Sequence, residues 1–214
     1  TLRSSSAASD VYKRQGSIVS DAHLPAYEQN NLPVIGLYDL DYEKAKALGQ
    51  KFNISVFKDP AEAAAIQNCI FDLAIPPSAH HKILELIPEN SAVILQKPMG
   101  SNLSEASNIL TLCRKKSLNA CVNFQLRFAP MMIALKDIIN KGLIGEIVDI
   151  DMWAALDTPW NLWKFLEDLP RVEILLHSIH YFDAIRFLVG NPHGVHAKTM
   201  GPVSYTHLRA HETR

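Results

Sequence analysis

Ala92-Val-Ile-Leu-Gln-Lys-Pro-Met99 decides the fold, because a short apolar run passes directly into Lys-Pro. A run of this length bounded by a breaker reads as a buried strand. Pro98 cannot continue a ladder, and it biases Lys97 toward extended backbone, so the ammonium stands at a strand terminus and not in a helix. Open α/β sheets bind their ligands at the carboxyl ends of the strands. Lys97 alone is equally well an ordinary strand-end lysine in solvent, and its neighbours have to decide between the two readings.

Working outward, strand-like apolar runs alternate with segments of helical period, the pattern of a parallel sheet covered by helices. Pro33-Val-Ile-Gly-Leu-Tyr-Asp39 reads as a buried strand, followed by a helix over Tyr42 to Phe52 with Ala45, Leu48 and Phe52 on one face. Phe71-Asp-Leu-Ala-Ile75 is the next strand, stopped by Pro76-Pro77, and a helix follows from Ala79 to Ile87. After the Lys97 strand comes a helix from Leu103 to Lys116, expected to bury Leu103, Leu110 and Cys113, and then a last short strand from Ala120 to Asn123. From Phe124 the pattern changes. Pro130 opens a helix to about Lys141 with Gly142 as its stop. Gly145-Glu-Ile-Val-Asp-Ile-Asp-Met-Trp-Ala-Ala-Leu156 alternates as a strand with two different faces, expected to belong to a second, α+β domain.

The chain has 214 residues, 48% hydrophobic and 20% charged, with a formal net charge of -1. Near-neutral charge without a Lys/Arg cluster argues against nucleic acid or an anionic membrane as a main partner. No apolar run approaches the ~20 residues that span a bilayer. Cys69, Cys113 and Cys121 are odd in number and unpatterned, which reads as reduced structural thiols in a cytoplasmic protein. Both ends look foreign to the rest. Residues 1–15 and 203–214 read as translated sequencing adaptor, leaving 16–123 and 124–202 as two domains, each incomplete. On that reading His207 and His211 are not metal ligands.

The landmarks Gly16-Ser-Ile18-Val, His23-Leu-Pro-Ala, Tyr38-Asp39, Ile75-Pro-Pro-Ser-Ala-His80, Gln96-Lys-Pro98, Asn123-Phe-Gln-Leu-Arg127 and His177-Ser-Ile-His-Tyr-Phe-Asp183 resemble, in order, those of the Gfo/Idh/MocA oxidoreductases. The resemblance covers Gly16 to Pro202. It implies an N-terminal Rossmann domain for NAD, with NADP possible, and a C-terminal open-sheet α+β domain that holds a sugar, cyclitol or related polyol. A homo-oligomer is implied for the full-length protein. In a 3-2-1-4-5-6 sheet the first strand is central. The residues ahead of Gly16 look like adaptor, so that strand is expected to be missing and cofactor binding by the chain as written to be weak.

Site residues follow from the same resemblance. Gly16 and Ile18 belong to the glycine turn whose amides meet the pyrophosphate, with Val19 where a third Gly or Ala is usual. Asp39 would take the adenosine ribose hydroxyls, favouring NAD because a carboxylate repels a 2'-phosphate; capping the Tyr42 helix is its other reading. Pro76, Pro77, His80, Gln96 and Lys97 would line the nicotinamide side. Lys97 would polarise the reacting hydroxyl and His180 act as base or relay, imidazole titrating near ~6.5. Arg127, Asn123 and Trp160 are substrate candidates, although Arg127 could instead pair with an acid. Trp153, Trp160, Trp163 and Phe165 form a sugar-stacking loop or an aromatic interface.

Two departures from the family pattern bear on chemistry. Glu is usual before the lysine, where this chain has Gln96, and an Asp is usual four positions before the histidine, where it has Leu176. His177 is then the candidate for the second polar group. Three other readings stay open: a cofactor-binding sensor without turnover, a glycosidase or lyase that oxidises and re-reduces its sugar, and a hydrolase with metal on His177, His180 and Asp183. The expectation is no metal.

Overall fold

A computed structural model describes residues 2–4, 18–154 and 172–198, with side chains from residue 18 onward. These residues form two units that divide between Asn123 and Phe124. The first is a parallel sheet of five strands: β1 (Leu2–Ser4), β2 (Gly36–Tyr38), β3 (Ile70–Leu73), β4 (Ala92–Leu95) and β5 (Asn119–Val122), in the order β2-β1-β3-β4-β5. A parallel bridge from Leu37 to Val56 adds a minimal further strand beyond β2. The Leu37 amide donates to Ser55 O and the Phe57 amide to Leu37 O. Counting that segment as the third strand, the order is the doubly wound 3-2-1-4-5-6.

The central position corrects the expectation of a missing first strand. Leu2–Ser4 occupies it, pairing in parallel with Gly36–Tyr38 on one side and with Phe71–Leu73 on the other. A ladder asks only for extended backbone with free amides and carbonyls, and a gap between two parallel strands offers two unpaired rows of them. Three residues read as foreign to the fold meet that requirement.

Alternation along the strands distributes side chains to two faces. Tyr38, Phe71, Leu73, Val93 and Leu95 pack with Leu84, Ile87 and Ile109 in the larger core. Leu37 points the other way and packs with Val19 and Leu24. Both faces are therefore covered, as a parallel sheet requires. The helices are α1 (Leu24–Gln29), entered through a wide turn over Val19–His23, α2 (Tyr42–Phe52), α3 (Pro60–Ala64), α4 (Pro77–Leu86) and α5 (Leu103–Lys115). Asp41 caps α2 by accepting from the Lys44 amide, and Asn102 caps α5 by accepting from the Glu105 amide. Lys116 donates to the Leu84 and Glu85 carbonyls at the end of α4, satisfying acceptors that a helix C-terminus leaves open. Burial of α5 differs from expectation. Ile109 and Cys113, one turn apart, form its buried stripe, while Leu103 is 82% exposed and Leu110 43%. Leu103 is the first residue of the helix, and Leu110 lies one position round from Ile109.

Past Phe124 the second unit is helical among the described residues: a tight turn over Gln125–Phe128, α6 (Pro130–Asn140), a wide turn over Ile174–Ser178 and α7 (Ile179–Val189). Gly142 follows α6 at φ 68°. The strand expected over Gly145 to Leu156 is not formed between 145 and 154, where Val148 and Trp153 are exposed. Alternation supplies a face but not a neighbour, and no described segment offers this one a ladder partner. No described helix is long and apolar enough to cross a membrane.

Candidate functional site

Asp39 stands at the carboxyl end of β2, only 4% exposed. Its Oδ1 accepts from the Asp41 amide at 3.0 Å, so the carboxylate is held by its own turn while Asp41 caps the helix. Burial first, then the carboxylates of Asp59 and Asp39, push the Tyr38 hydroxyl above its ordinary pKa. Phe57 covers this strand closely: a Cβ on Gly36 would come within 2.2 Å of its ring, so a larger residue there would have to displace the ring. Ile18 is exposed at the start of the α1 entry, and Val19 is buried where a smaller residue was expected. Gly16 lies outside the described residues, as does Trp160.

Lys97 is half-buried at the turn that ends β4, and the Lys97–Pro98 peptide bond is cis. The strand carries Gln96 to the face opposite Leu95, where Asp72 also emerges because Phe71 and Leu73 face the larger core. There the two meet α1 and its entry turn. His23 Nδ1 lies 2.7 Å from Asp72 Oδ2, the Tyr27 hydroxyl donates to the same oxygen at 3.1 Å, and Gln96 Nε2 lies 3.3 Å from His23 Nε2. With Nδ1–H donating to the carboxylate, Nε2 is left to accept from the amide. Asp72 is 1% exposed. None of this polar group except Gln96 was singled out for chemistry from sequence. The available signal was a lone acid inside the apolar run Ile70-Phe-Asp-Leu73.

His80 is placed differently from the expectation that it lines a pocket. It has no exposed surface, and its Nδ1–H donates to the Met99 carbonyl at 2.9 Å. Burial lowers its pKa, against a smaller opposing effect of the Met99 and Leu73 carbonyls. It pins the residue after Pro98 to the first turn of α4. Pro76 is half-buried and Pro77 buried at the start of that helix. On the far side Gly100 packs under α5, where a Cβ would come within 2.6 Å of the Ala106 amide.

In the second unit Arg127 grips Asp183 with two parallel bonds, Nε to Oδ2 at 2.5 Å and Nη2 to Oδ1 at 2.6 Å. Asp183 is 3% exposed, and its hydrogen bonds raise the Arg127 pKa against a smaller burial effect. The fork is thus turned to an acid of its own unit, as in the alternative reading of Arg127. His180 is buried and meets Phe124 edge-on, centroids 6.1 Å apart. His177 Nδ1 lies 3.1 Å from Glu173 Oε2, and Ser178 Oγ donates toward the same carboxylate. Glu173 had not been identified from sequence. Leu176, in the place of the usual Asp, is 9% exposed. Asn123 is half-buried, its amide donating to Leu95 O. Among the described residues no group of three or more His, Cys, Asp or Glu could hold a metal ion.

The chain is similar to D-apiose dehydrogenase of Paraburkholderia graminis, 26% identical over 79% of this chain and 46% of that protein. In fold it is similar to an oxidoreductase from Agrobacterium radiobacter solved with NAD+, L-tartaric acid and magnesium, at TM-score 0.68 and 21% identity, covering 88% of this chain and 54% of that one. It is also similar to a super-repressor mutant of Gal80p from Saccharomyces cerevisiae, at TM-score 0.65 and 16% identity over 87% and 53%. The chain spans about half the length of these relatives. Residues 15–124 match the oxidoreductase family with an NAD-binding Rossmann fold, and with the doubly wound sheet and the Lys97 turn on which that match falls, the chain belongs to the Gfo/Idh/MocA oxidoreductases.

Proposed function

We propose that the protein transfers a hydride between NAD, or less favourably NADP, and a hydroxyl or carbonyl carbon of a sugar, cyclitol or related polyol. The observation that carries this is Lys97, held half-buried at the carboxyl end of β4 in a family whose relatives include a D-apiose dehydrogenase. The buried Asp39 carboxylate at the end of β2 suits the ribose hydroxyls of NAD and repels a 2'-phosphate. When bound, the nicotinamide supplies the hydride acceptor or donor. Lys97 holds and polarises the reacting hydroxyl. His180 takes or returns its proton. His177, oriented by Glu173, supplies the polar group that Leu176 does not. Asn123 and Trp160 remain candidates for substrate hydroxyls, and a homo-oligomer goes with this reading.

Titration with NADH and NADPH, followed by nicotinamide fluorescence, tests the cofactor. Tighter NADH binding is expected, and Asp39→Ala should erase the difference. No binding of either would overturn the proposal. A second reading, a cofactor-binding sensor without turnover, is favoured by the apolar Leu176 and by a repressor among the similar folds. NADH binding without hydride transfer to any polyol in a screen would select it.

A further inference from the structure

The amide of Gln96, the imidazole of His23 and the carboxylate of Asp72 form a buried chain directly ahead of Lys97. His23 is held at 2.7 Å by the acid and stands 3.3 Å from the amide. The side chains of His23, Asp72 and Gln96 are all within a tenth of full burial. An acid in the middle of a buried strand is costly unless bonded, and Oδ2 of this one is met by two donors from another element, His23 and Tyr27. On the other side of the lysine, the His80 ring holds the Met99 carbonyl.

We propose that Asp72 and His23 are positioning residues: they fix the Gln96 side chain and through it the backbone that presents Lys97. Asp72 orients the ring, and the ring receives the amide. The segment from Gln96 to Met99 is then held at both ends by imidazoles, one from the α1 entry and one from α4. Lys97 stands between these two ties. In the chemistry this inference rests on the dehydrogenase reading. The tie itself does not.

The test labels the ε-amino groups of the intact chain with an acylating reagent under native conditions and follows each lysine by peptide mass spectrometry. Lys82, exposed on α4, serves as the internal control. His23→Phe and Gln96→Met each remove the tie. Each should change the Lys97 rate by about threefold or more while Lys82 is unmoved, and the double variant should add nothing further, as members of one network do. Nitrogen-15 NMR of the unaltered chain should show His23 protonated at Nδ1, a readout that needs no variant to fold. Lys97 rates unchanged in both variants, or a His23 proton on Nε2 alone, overturns the proposal. NADH binding is measured alongside. Its absence in the unaltered chain removes the dehydrogenase reading and leaves the labelling result to decide the tie.

Discussion

Asp72 and Asp183 are almost equally buried, at 1% and 3% exposed, yet they are held in different ways. Asp183 rides on helix α7 and is met by a guanidinium in a two-bond fork. Asp72 rides on a strand, and its named partners are an imidazole and a phenol. A fork between permanent charges has one good geometry and no substitute donor. Donors such as His and Tyr share one oxygen and can be lost one at a time. The first arrangement fastens two segments of the helical unit, residues 56 apart in sequence. The second leaves a ring nitrogen for a third partner, and Gln96 takes it.

Removing partners should separate the two. Arg127→Ala leaves a buried carboxylate without its charge partner, with an expected loss of about 3 kcal/mol on urea denaturation of the helical unit. A loss below about 1 kcal/mol would mean that the fork is a surface pair in disguise. Asp72→Ala strips His23 and Tyr27 of their acceptor and should cost about 2 kcal/mol in the sheet unit.

A pH comparison sharpens the contrast with His80. Its folded pKa is lowered by burial, so the unfolded chain protonates this ring first as pH falls. Stability from the neutral ring is complete above the ordinary histidine value and is lost progressively from about pH 6.5 downward, toward the lowered folded value. His80→Asn should cost about 1 kcal/mol at pH 7 through the lost Met99 bond. Its own unfolding midpoint should then vary less between about pH 6.5 and pH 5. The smallest effect is expected from Tyr27→Phe, about 0.5 to 1 kcal/mol, because His23 still serves the same oxygen. A larger loss than Asp72→Ala would show that the phenol, and not the imidazole, is the main partner.

What could be read from the sequence follows the range of the forces involved. The span of α2 was legible because its period is local, while its cap is Asp41 and not the Asp39 considered from sequence. The strands at Ile70 and Ala92 were legible as apolar runs ended by proline. On α5 the same method placed Cys113 correctly but chose Leu103 and Leu110 over Ile109, which is as apolar, since periodicity cannot say where a helix is met. β1 was read as absent because the residues ahead of Gly16 look like adaptor, and ladder pairing asks only for extended backbone, whatever the origin of the residues. The alternation after Gly145 suggested a strand that is not formed between 145 and 154, because a sheet needs a neighbour. Lys97, Asp39 and His180 were picked out as motifs. The tie between His23, Asp72 and Gln96 joins residues 49 and 73 positions apart, and nothing local records such distances.

The single bridge at Val56 has a consequence for life in a crowded solution. A long, flat outer strand offers other chains a row of open amides and carbonyls on which to add. Among the described residues the sheet ends beyond β2 in one bridge, with the Phe57 ring lying over Gly36. So short an edge gives an incoming strand little to copy, and on that side the sheet unit is guarded against stacking into aggregates by the brevity of its last strand.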